Sequence, residues 1–210
     1  MVAAPTVGSV SERKSWTVTT HDWSRDLDLA HLAEVRDHTD RYGAGGRRHM
    51  ILEVLAYAND EAESIGRVGH AVVTFHDDGR VRVSDDGRGT DTRVDSVGAV
   101  VRKPVMATKD LRFFDGLDGP LLPDGLPRRG MSTVSALSSV LVHENHRAEG
   151  SWSQTYRHGV PEAALCSLRA ASDSGTSVEF VPRTSIGGPD SLEGSDLQAF
   201  SWLHINLLAE

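Results

Sequence analysis

Apolar residues between Arg47 and Ile65 recur at the three- and four-residue spacing of a helix with one buried face. The residues on that face are Ile51, Val54, Leu55, Ala58, Ala62 and Ile65. Gly66 follows directly, which is typical of the end of a helix. A helix with such a face is stable only when another layer covers it, so we expect the chain to form a packed domain around this segment.

Two Val-rich segments after this helix predict a β-hairpin. The segments Ala71–Phe75 and Arg80–Ser84 alternate apolar and polar residues, and the linking residues 76–79 end in the Asp-Gly pair of a tight turn. The other predicted elements are a short helix at Leu27–Val35, a short helix at Val94–Val101, a second clear helix at Gly130–Leu141, a strand at Thr176–Val181 and a terminal helix at Asp196–Leu208. This order predicts an α+β chain with helices on one face of a sheet.

Length and composition narrow the class of protein without defining its function. The 210 residues fit one domain, and we expect a flexible N-terminal arm at 1–24 followed by a domain at 25–210. The net charge of −8 gives no overall attraction to DNA or to anionic membranes. The single cysteine excludes an internal disulfide framework and fits a reducing compartment. With no apolar run near the ~20 residues of a membrane span, we expect a cytoplasmic protein.

Polar residues form a stripe along the central helix. At about 100° per residue, Glu53, Tyr57, Asp60 and Glu61 fall on the same side, away from the centre of the apolar face. A solvated helix face and a ligand-binding face both fit this pattern.

The hairpin leads directly into Asp85-Asp86-Gly87-Arg88-Gly89. A carboxylate at the end of a strand here meets two glycines, which allow a ligand to approach the backbone closely. Taken alone, this run is also typical of an ordinary turn.

Together the two regions resemble a known family. The segments that carry the resemblance are Arg48-His49-Met50-Ile51-Leu52-Glu53-Val54, Asp60-Glu61-Ala62, Val81–Gly89, Gly130–Ser138, Tyr156–Pro161 and Gly175–Pro182. In this order they resemble the N-terminal ATPase domain of the DNA gyrase B protein, a member of the GHKL group, over about residues 27–208. The resemblance implies an α/β two-layer sandwich with a mixed sheet, and it implies ATP as the ligand.

The resemblance also implies roles for individual residues. Glu53 matches the general base that activates the water attacking the γ-phosphate, which is a role suited to a carboxylate. Asp85 matches the carboxylate that accepts a hydrogen bond from the adenine amino group, and Thr176 matches the hydroxyl that supports this contact.

Further site residues follow from the same comparison. Gly87 and Gly89 match the glycines against which base and sugar lie. Glu61 and Arg88 match a salt-bridged pair whose arginine packs along the adenine.

The sequence departs from the family pattern at the phosphate end of the expected site. Tyr57 occupies the position of an Asn that ligates Mg²⁺ in the family, and a phenol is a poor ligand for this ion, so Mg²⁺ coordination is open. The glycine-rich phosphate loop is replaced by residues 125–130, where Gly125 and Gly130 enclose Leu-Pro-Arg-Arg. Arg128 and Arg129 could meet phosphates through their side chains, and a solvated basic loop fits equally well.

Three functions therefore stay open. The first is an ATP-binding protein with slow or altered hydrolysis, the second is a pseudo-ATPase that serves as a regulatory or interaction module, and the third is an enzyme acting on another small molecule. We expect no topoisomerase activity from this chain alone, no direct DNA or membrane binding, and either a homodimer or an unidentified protein partner. The run His143-Glu144-Asn145-His146 has no third metal ligand at a suitable spacing, which favours an exposed turn.

Overall fold

A computed structural model describes residues 13–114, 119–147, 150–169 and 173–210. Within these ranges the helices are α1 (Leu29–Asp37), α2 (Thr39–Tyr42), α3 (Gly46–Ser64), α4 (Leu111–Phe114), α5 (Met131–Ala136) and α6 (Gly194–Gln198). The strands are β1 (Gly69–Phe75), β2 (Val81–Asp85), β3 (Thr92–Val94), β4 (Val100–Arg102), β5 (Ser138–His146), β6 (Ser151–Arg157), β7 (Val160–Pro161), β8 (Cys166–Leu168), β9 (Gly175–Pro182) and β10 (Leu203–Ala209).

Eight of the described strands form one mixed sheet. Its order is β10-β1-β2-β9-β5-β6-β7, with β8 paired to β6 beside β7. Strands β1 and β10 run parallel, whereas the other pairs in this sheet are antiparallel. Helices α3 and α5 contact each other and the sheet, and α1 packs on α5, so the core lies between these two layers. This is the α/β two-layer sandwich with a mixed sheet that the resemblance implies.

The central helix and the hairpin were predicted correctly. Helix α3 buries the apolar residues from Ile51 to Ala62 on the predicted face. Gly66, with φ of 65°, continues the chain in the left-handed region, where a glycine carries no Cβ penalty. Strands β1 and β2 are joined through Gly79, whose N–H donates to the carbonyl of His76 at 2.9 Å. Neither α3 nor any other described helix has both the length and the apolar character required to cross a membrane.

Three of the predicted helices were wrong in whole or in part. The segment Val94–Val101 forms the β3–β4 ribbon instead, because Gly98, with φ of 80°, allows a tight turn between the two strands. The predicted helix Gly130–Leu141 ends at Ala136, and β5 begins at Ser138. Of the terminal helix Asp196–Leu208, only Gly194–Gln198 is helical, while Leu203–Ala209 is a strand that pairs with β1.

The predicted N-terminal arm needs correction over its second half. Residues 1–12 lie outside the described residues, but Trp23 is 1% exposed and meets Trp16 edge-on at 5.6 Å between ring centroids. The guanidinium of Arg93 lies 4.4 Å from the ring centroid of Trp23. The main-chain carbonyl of Thr20 accepts a hydrogen bond from the N–H of Leu111 at 2.9 Å. This part of the chain is therefore packed on the domain, where the buried ring of Trp23 and its contact with the half-buried Trp16 stabilise it.

Candidate functional site

A cavity of about 500 Å³ opens between helix α3, the end of β2 and the strands β5 and β9. The predicted site residues that line it are Tyr57, Glu61, Asp85, Arg88, Gly89 and Thr176. The predicted residues that do not line it are Glu53, Gly87, Gly125, Arg128, Arg129 and Gly130. The structure thus brings half of the predicted set to one surface and places the rest behind it or elsewhere.

Asp85 is held in position by two hydrogen bonds. It ends β2 directly opposite Thr176 of β9 in the antiparallel register. The hydroxyl of Thr176 donates to Oδ2 at 2.6 Å, and the N–H of Gly87 donates to Oδ1 at 2.8 Å. Burial raises the pKa of Asp85 against the opposing effect of these hydrogen bonds. No described residue places a cation within ion-pair distance of this carboxylate, so its remaining accepting capacity is available to a ligand that offers an N–H group.

Glycine is required at two points beside Asp85. A Cβ on Gly87 would lie 2.8 Å from Oδ1 of Asp85, so a side chain there would displace the carboxylate. A Cβ on Gly89 would lie 2.6 Å from Oδ1 of Asn145, and Gly89 also has φ of 81°. The two glycines therefore allow the turn after β2 to pack closely around the carboxylate.

Glu61 and Arg88 form the ion pair that the resemblance implies. Nε of Arg88 donates to Oε1 of Glu61 at 2.5 Å, and the second contact, from Nη2 to Oε2, is 3.2 Å long. Burial favours the neutral form of Glu61, but the hydrogen bonds and the charge of Arg88 outweigh it and lower the pKa. The side chain of Arg88 is 60% exposed at the rim of the cavity.

Glu53 is buried behind the cavity wall and is closed off by the segment Arg128–Gly130. It is 1% exposed, and it accepts hydrogen bonds from the backbone N–H groups of Arg129 and Gly130, both at 3.0 Å. Nε of Arg128 lies 3.5 Å from Oε1. Both carboxylate oxygens are thus occupied by the backbone of the loop that, by resemblance, would cradle the phosphates.

Arg128 does not extend into the cavity as proposed from the sequence. It is 7% exposed, and its Nη1 donates to Oδ2 of Asp60 at 2.8 Å. The guanidinium also lies 4.5 Å from the ring centroid of Phe113 and 5.1 Å from that of Tyr57. A buried guanidinium requires nearby anions, and Asp60 and Glu53 supply them. The solvated basic loop is excluded for Arg128 by the same burial.

Arg129 and Gly125 also lie outside the lining of the cavity. The guanidinium of Arg129 lies 5.9 Å from the ring of Tyr42, on the side of α2. Gly125, with φ of 78°, is exposed in a turn closed by its N–H donating to the carbonyl of Leu122 at 2.9 Å. In this conformation neither residue is placed to bind a ligand in the cavity.

Tyr57 is the centre of a buried polar cluster that the sequence did not reveal. Its hydroxyl donates to Oδ2 of Asp110 at 2.5 Å, and Asp110 is fully buried. The guanidinium of Arg112 donates to the same carboxylate, with Nη2 at 2.8 Å from Oδ2. Burial, followed by the charge of Asp110, raises the pKa of the Tyr57 phenol well above its usual value. Tyr57 is therefore a neutral hydrogen-bond donor to a buried carboxylate.

The acidic residues at this end of the site do not fit Mg²⁺. Asp110 is occupied by Tyr57 and Arg112, and Asp60 accepts from both Arg112 and Arg128. The described residues hold no group of three or more His, Cys, Asp or Glu side chains arranged for a metal ion. Mg²⁺ needs oxygen ligands that are free to coordinate, and here two arginines occupy them.

A second unpredicted group lies on the Asp85 side of the cavity. His143 is 1% exposed within β5, so its run of residues is a strand and not the expected exposed turn. Its Nε2 lies 3.1 Å from the hydroxyl of Thr90, and its ring meets Trp152 edge-on at 4.9 Å. Burial lowers the pKa of His143 to about 3, so the ring is neutral near pH 7. The only signal in the sequence was the alternation of His143 and Asn145 on one face of a strand.

The mixed sheet, the helices that cover it and the cavity between these layers agree with a GHKL-type ATPase-like fold. Comparison with known proteins specifies the branch. The chain is 33% identical over 166 residues to the DNA gyrase B protein of Streptomyces coelicolor, covering 77% of this chain and 24% of the relative. It is 34% identical over 158 residues to the DNA gyrase B protein of Mycobacterium leprae, covering 72% and 23%. It is 29% identical over 143 residues to the DNA topoisomerase 4 B protein of Staphylococcus epidermidis, covering 67% and 21%.

The chain belongs to the gyrase B family of GHKL ATPase-like domains, as a divergent member. It spans about a quarter of the length of the curated relatives that it matches. No family model matches the chain.

Proposed function

We propose that this chain binds an adenine nucleotide in the cavity and that ATP is its ligand. The observation that carries the proposal is the carboxylate of Asp85, which Thr176 and Gly87 hold in place while no described cation neutralises it. Such a carboxylate accepts a hydrogen bond from an exocyclic amino group, and the contact is charge-assisted. Membership of the gyrase B family supports the same ligand class.

We infer that hydrolysis is slow. Glu53 is the candidate general base, but a base must reach the water whose proton it takes. In this conformation the carboxylate is bound by the N–H groups of Arg129 and Gly130. The segment Arg128–Gly130 must therefore leave Glu53 before water and a γ-phosphate can approach it.

The same contacts favour the second candidate, a pseudo-ATPase that binds nucleotide without turning it over. In that case the role of Glu53 is structural: its carboxylate holds the loop by accepting hydrogen bonds from the backbone N–H groups of Arg129 and Gly130. Its burial and its two backbone hydrogen bonds serve this role without any further chemistry.

Nucleotide binding is tested by isothermal titration of the protein with ATP, ADP and adenosine, in EDTA and in Mg²⁺. We expect ATP to bind both in EDTA and in Mg²⁺. The acidic side chains at the Tyr57 end are paired with arginines and are not free to coordinate Mg²⁺, so binding should not depend on this ion. Absence of binding by all three compounds at millimolar concentration would overturn the proposal.

Turnover is tested by phosphate release from the unaltered protein, Glu53→Gln and Glu63→Gln. Glu63 is an exposed residue of the same helix and provides a matched loss of charge. Slow release that disappears in Glu53→Gln alone supports hydrolysis with Glu53 as base. Equal background release from all three proteins supports the pseudo-ATPase. Thermal unfolding of each variant checks that the fold is retained.

A further inference from the structure

The wall of the cavity carries equal numbers of acidic and basic residues, and most of them form ion pairs with each other. Among the described residues that line it, four are acidic and four are basic: Asp60, Glu61, Asp85, Asp91, Arg88, Lys103, Arg112 and Arg147. Three ion pairs join most of them across the wall. These pairs are Glu61 with Arg88, Asp60 with Arg112, and Asp91 with Arg147.

Two charges on the wall have no ionic partner within the described part of the chain. One is Asp85, for which the base of a nucleotide is the proposed partner. The other is Lys103, whose ammonium forms no hydrogen bond or ion pair with any described residue. A cavity that leaves one anion and one cation without partners complements a ligand that carries both an amino group and an anionic group.

Lys103 is fixed at this position by its backbone. Its N–H donates to the carbonyl of Asp91 at 3.0 Å, and the next residues of the wall, Val105 and Met106, are buried in the core. Burial lowers the pKa of Lys103, while Asp110 acts in the opposite direction and Arg112 in the same direction as burial. Keeping an ammonium partly buried without a partner costs free energy, and an anionic ligand recovers this cost.

We propose that Lys103 binds the phosphate chain of the nucleotide and is the cationic contact of a phosphate subsite that does not depend on Mg²⁺. This inference rests on the proposed nucleotide-binding function and adds a residue to it. A lysine suits the role because its ammonium offers three donors on a flexible stem and needs no fixed geometry. The arginines nearby are unavailable for it, because Arg112 is bound to Asp110 and Arg128 to Asp60.

The test is titration of ATP and adenosine, both in EDTA, into the unaltered protein, Lys103→Met, Lys103→Arg and Lys14→Met. Lys14 is an exposed lysine outside the cavity and controls for the change in net charge. We expect Lys103→Met to bind ATP about tenfold more weakly, as for the loss of one charge-assisted contact, with unchanged affinity for adenosine. Lys103→Arg should recover part of the affinity, and Lys14→Met should match the unaltered protein.

The outcomes separate this inference from the function on which it rests. If Lys103→Met binds ATP within twofold of the unaltered protein, the assignment of Lys103 is wrong while nucleotide binding stands. An equal loss of ATP and adenosine affinity also overturns it, because a phosphate contact cannot affect adenosine. If the unaltered protein binds neither compound, the proposed function itself is wrong.

Discussion

The two ends of the cavity use similar residue types in opposite ways. At the Asp85 end, formed by Asp85, Thr176 and Gly87, the hydrogen bonds orient a carboxylate and leave it without a cation. At the Glu53 end, Tyr57 and Asp60 line the cavity, and Glu53, Asp110 and Arg128 lie behind its wall. The acids of this end are paired with arginines, a phenol or backbone N–H groups. The Asp85 end is preorganised for a ligand, whereas the polar groups of the Glu53 end find their partners within the protein.

This difference indicates how binding and turnover can diverge within one fold. Recognition of a nucleotide base needs one accessible hydrogen-bond acceptor that is held rigidly, and Asp85 provides it. Turnover needs a general base, a water molecule and hydrogen-bond donors for the phosphates. Here the backbone donors of Arg129 and Gly130 are bound to Glu53, the candidate general base. A ligand can therefore enter the Asp85 end without change, but it must compete with Glu53 for the N–H groups of Arg129 and Gly130.

The largest expected effect is at the Asp85 end. Replacing Asp85→Asn removes the charge from the contact with the ligand's amino group, at a cost of about 1.5–3 kcal/mol. We expect ATP affinity to fall by roughly ten- to a hundredfold, measured by isothermal titration. The matched control is Asp86→Asn, because Asp86 is the adjacent carboxylate and does not line the cavity. Equal affinities of Asp85→Asn and the control would show that Asp85 is not the recognition residue.

The next effect addresses the Glu53 end. Gly130 has φ of 86°, and a Cβ there would lie 3.1 Å from Cβ of Asp110 and 3.2 Å from the hydroxyl of Tyr57. Gly130→Ala should lower the free energy of unfolding by about 2–3 kcal/mol, through backbone strain together with crowding of the polar cluster. Urea unfolding measures this value.

Gly125→Ala is the control for this substitution. Gly125 has φ of 78° but no atom within 4 Å of its Cβ position, so only the backbone strain of about 1 kcal/mol is expected. If the two alanine variants are equally stable, the packing around Gly130 is looser than described and the Glu53 end is not closed.

The pH dependence of the free energy of unfolding also distinguishes the two ends. His143, on the Asp85 side, has its pKa lowered to about 3, whereas an unfolded histidine titrates near 6.5. Below pH 6.5 the unfolded chain therefore binds a proton that the folded chain does not. Stability falls by about 1.4 kcal/mol per pH unit from this residue until the pH reaches the folded value.

His143→Leu should remove about 2 kcal/mol of the stability lost between pH 7 and pH 5, compared by urea unfolding at both values. The remaining loss is expected from His21 and His31, whose pKa values burial lowers to about 4. Asp110, at the Glu53 end, acts at lower pH, since its pKa is lowered and its paired form is lost only as the pH falls below the usual carboxyl range. An unchanged pH dependence in the variant would mean that His143 is accessible to water.

What the sequence predicted about the fold depended on how local the signal was. Helix α3 and the β1–β2 hairpin were predicted because apolar periodicity and an Asp-Gly turn lie within a few residues. The segment from Leu203 to Leu208 was predicted as part of the terminal helix Asp196–Leu208, because a short apolar run fits both the 3.6-residue period of a helix and the two-residue period of a strand. It is a strand because it pairs in parallel with β1, a partner more than a hundred residues away.

The site residues that could be predicted were likewise those that lie close together in the sequence. Asp85 and the glycines after it are contiguous, so their run could be recognised and matched to the family. The cluster of Tyr57, Asp110 and Arg112 is assembled by the fold from separate segments, and no spacing in the sequence indicates it. The departure at Tyr57 was visible as a missing Mg²⁺ ligand, but its consequence, a phenol donating to a buried carboxylate, required the tertiary contact.

The smallest expected effect concerns the rim between the two ends. Arg88 is largely exposed, and exposed ion pairs contribute less than about 1 kcal/mol, so Arg88→Met should change stability little. Its loss should lower ATP affinity by less than about fivefold, because water screens any contact that Arg88 makes along the base. Titration of Arg88→Met beside Asp85→Asn measures this ratio. A loss as large as that of Asp85→Asn would mean that bound ligand excludes water from Arg88, and the rim would then belong to the recognition surface together with Asp85.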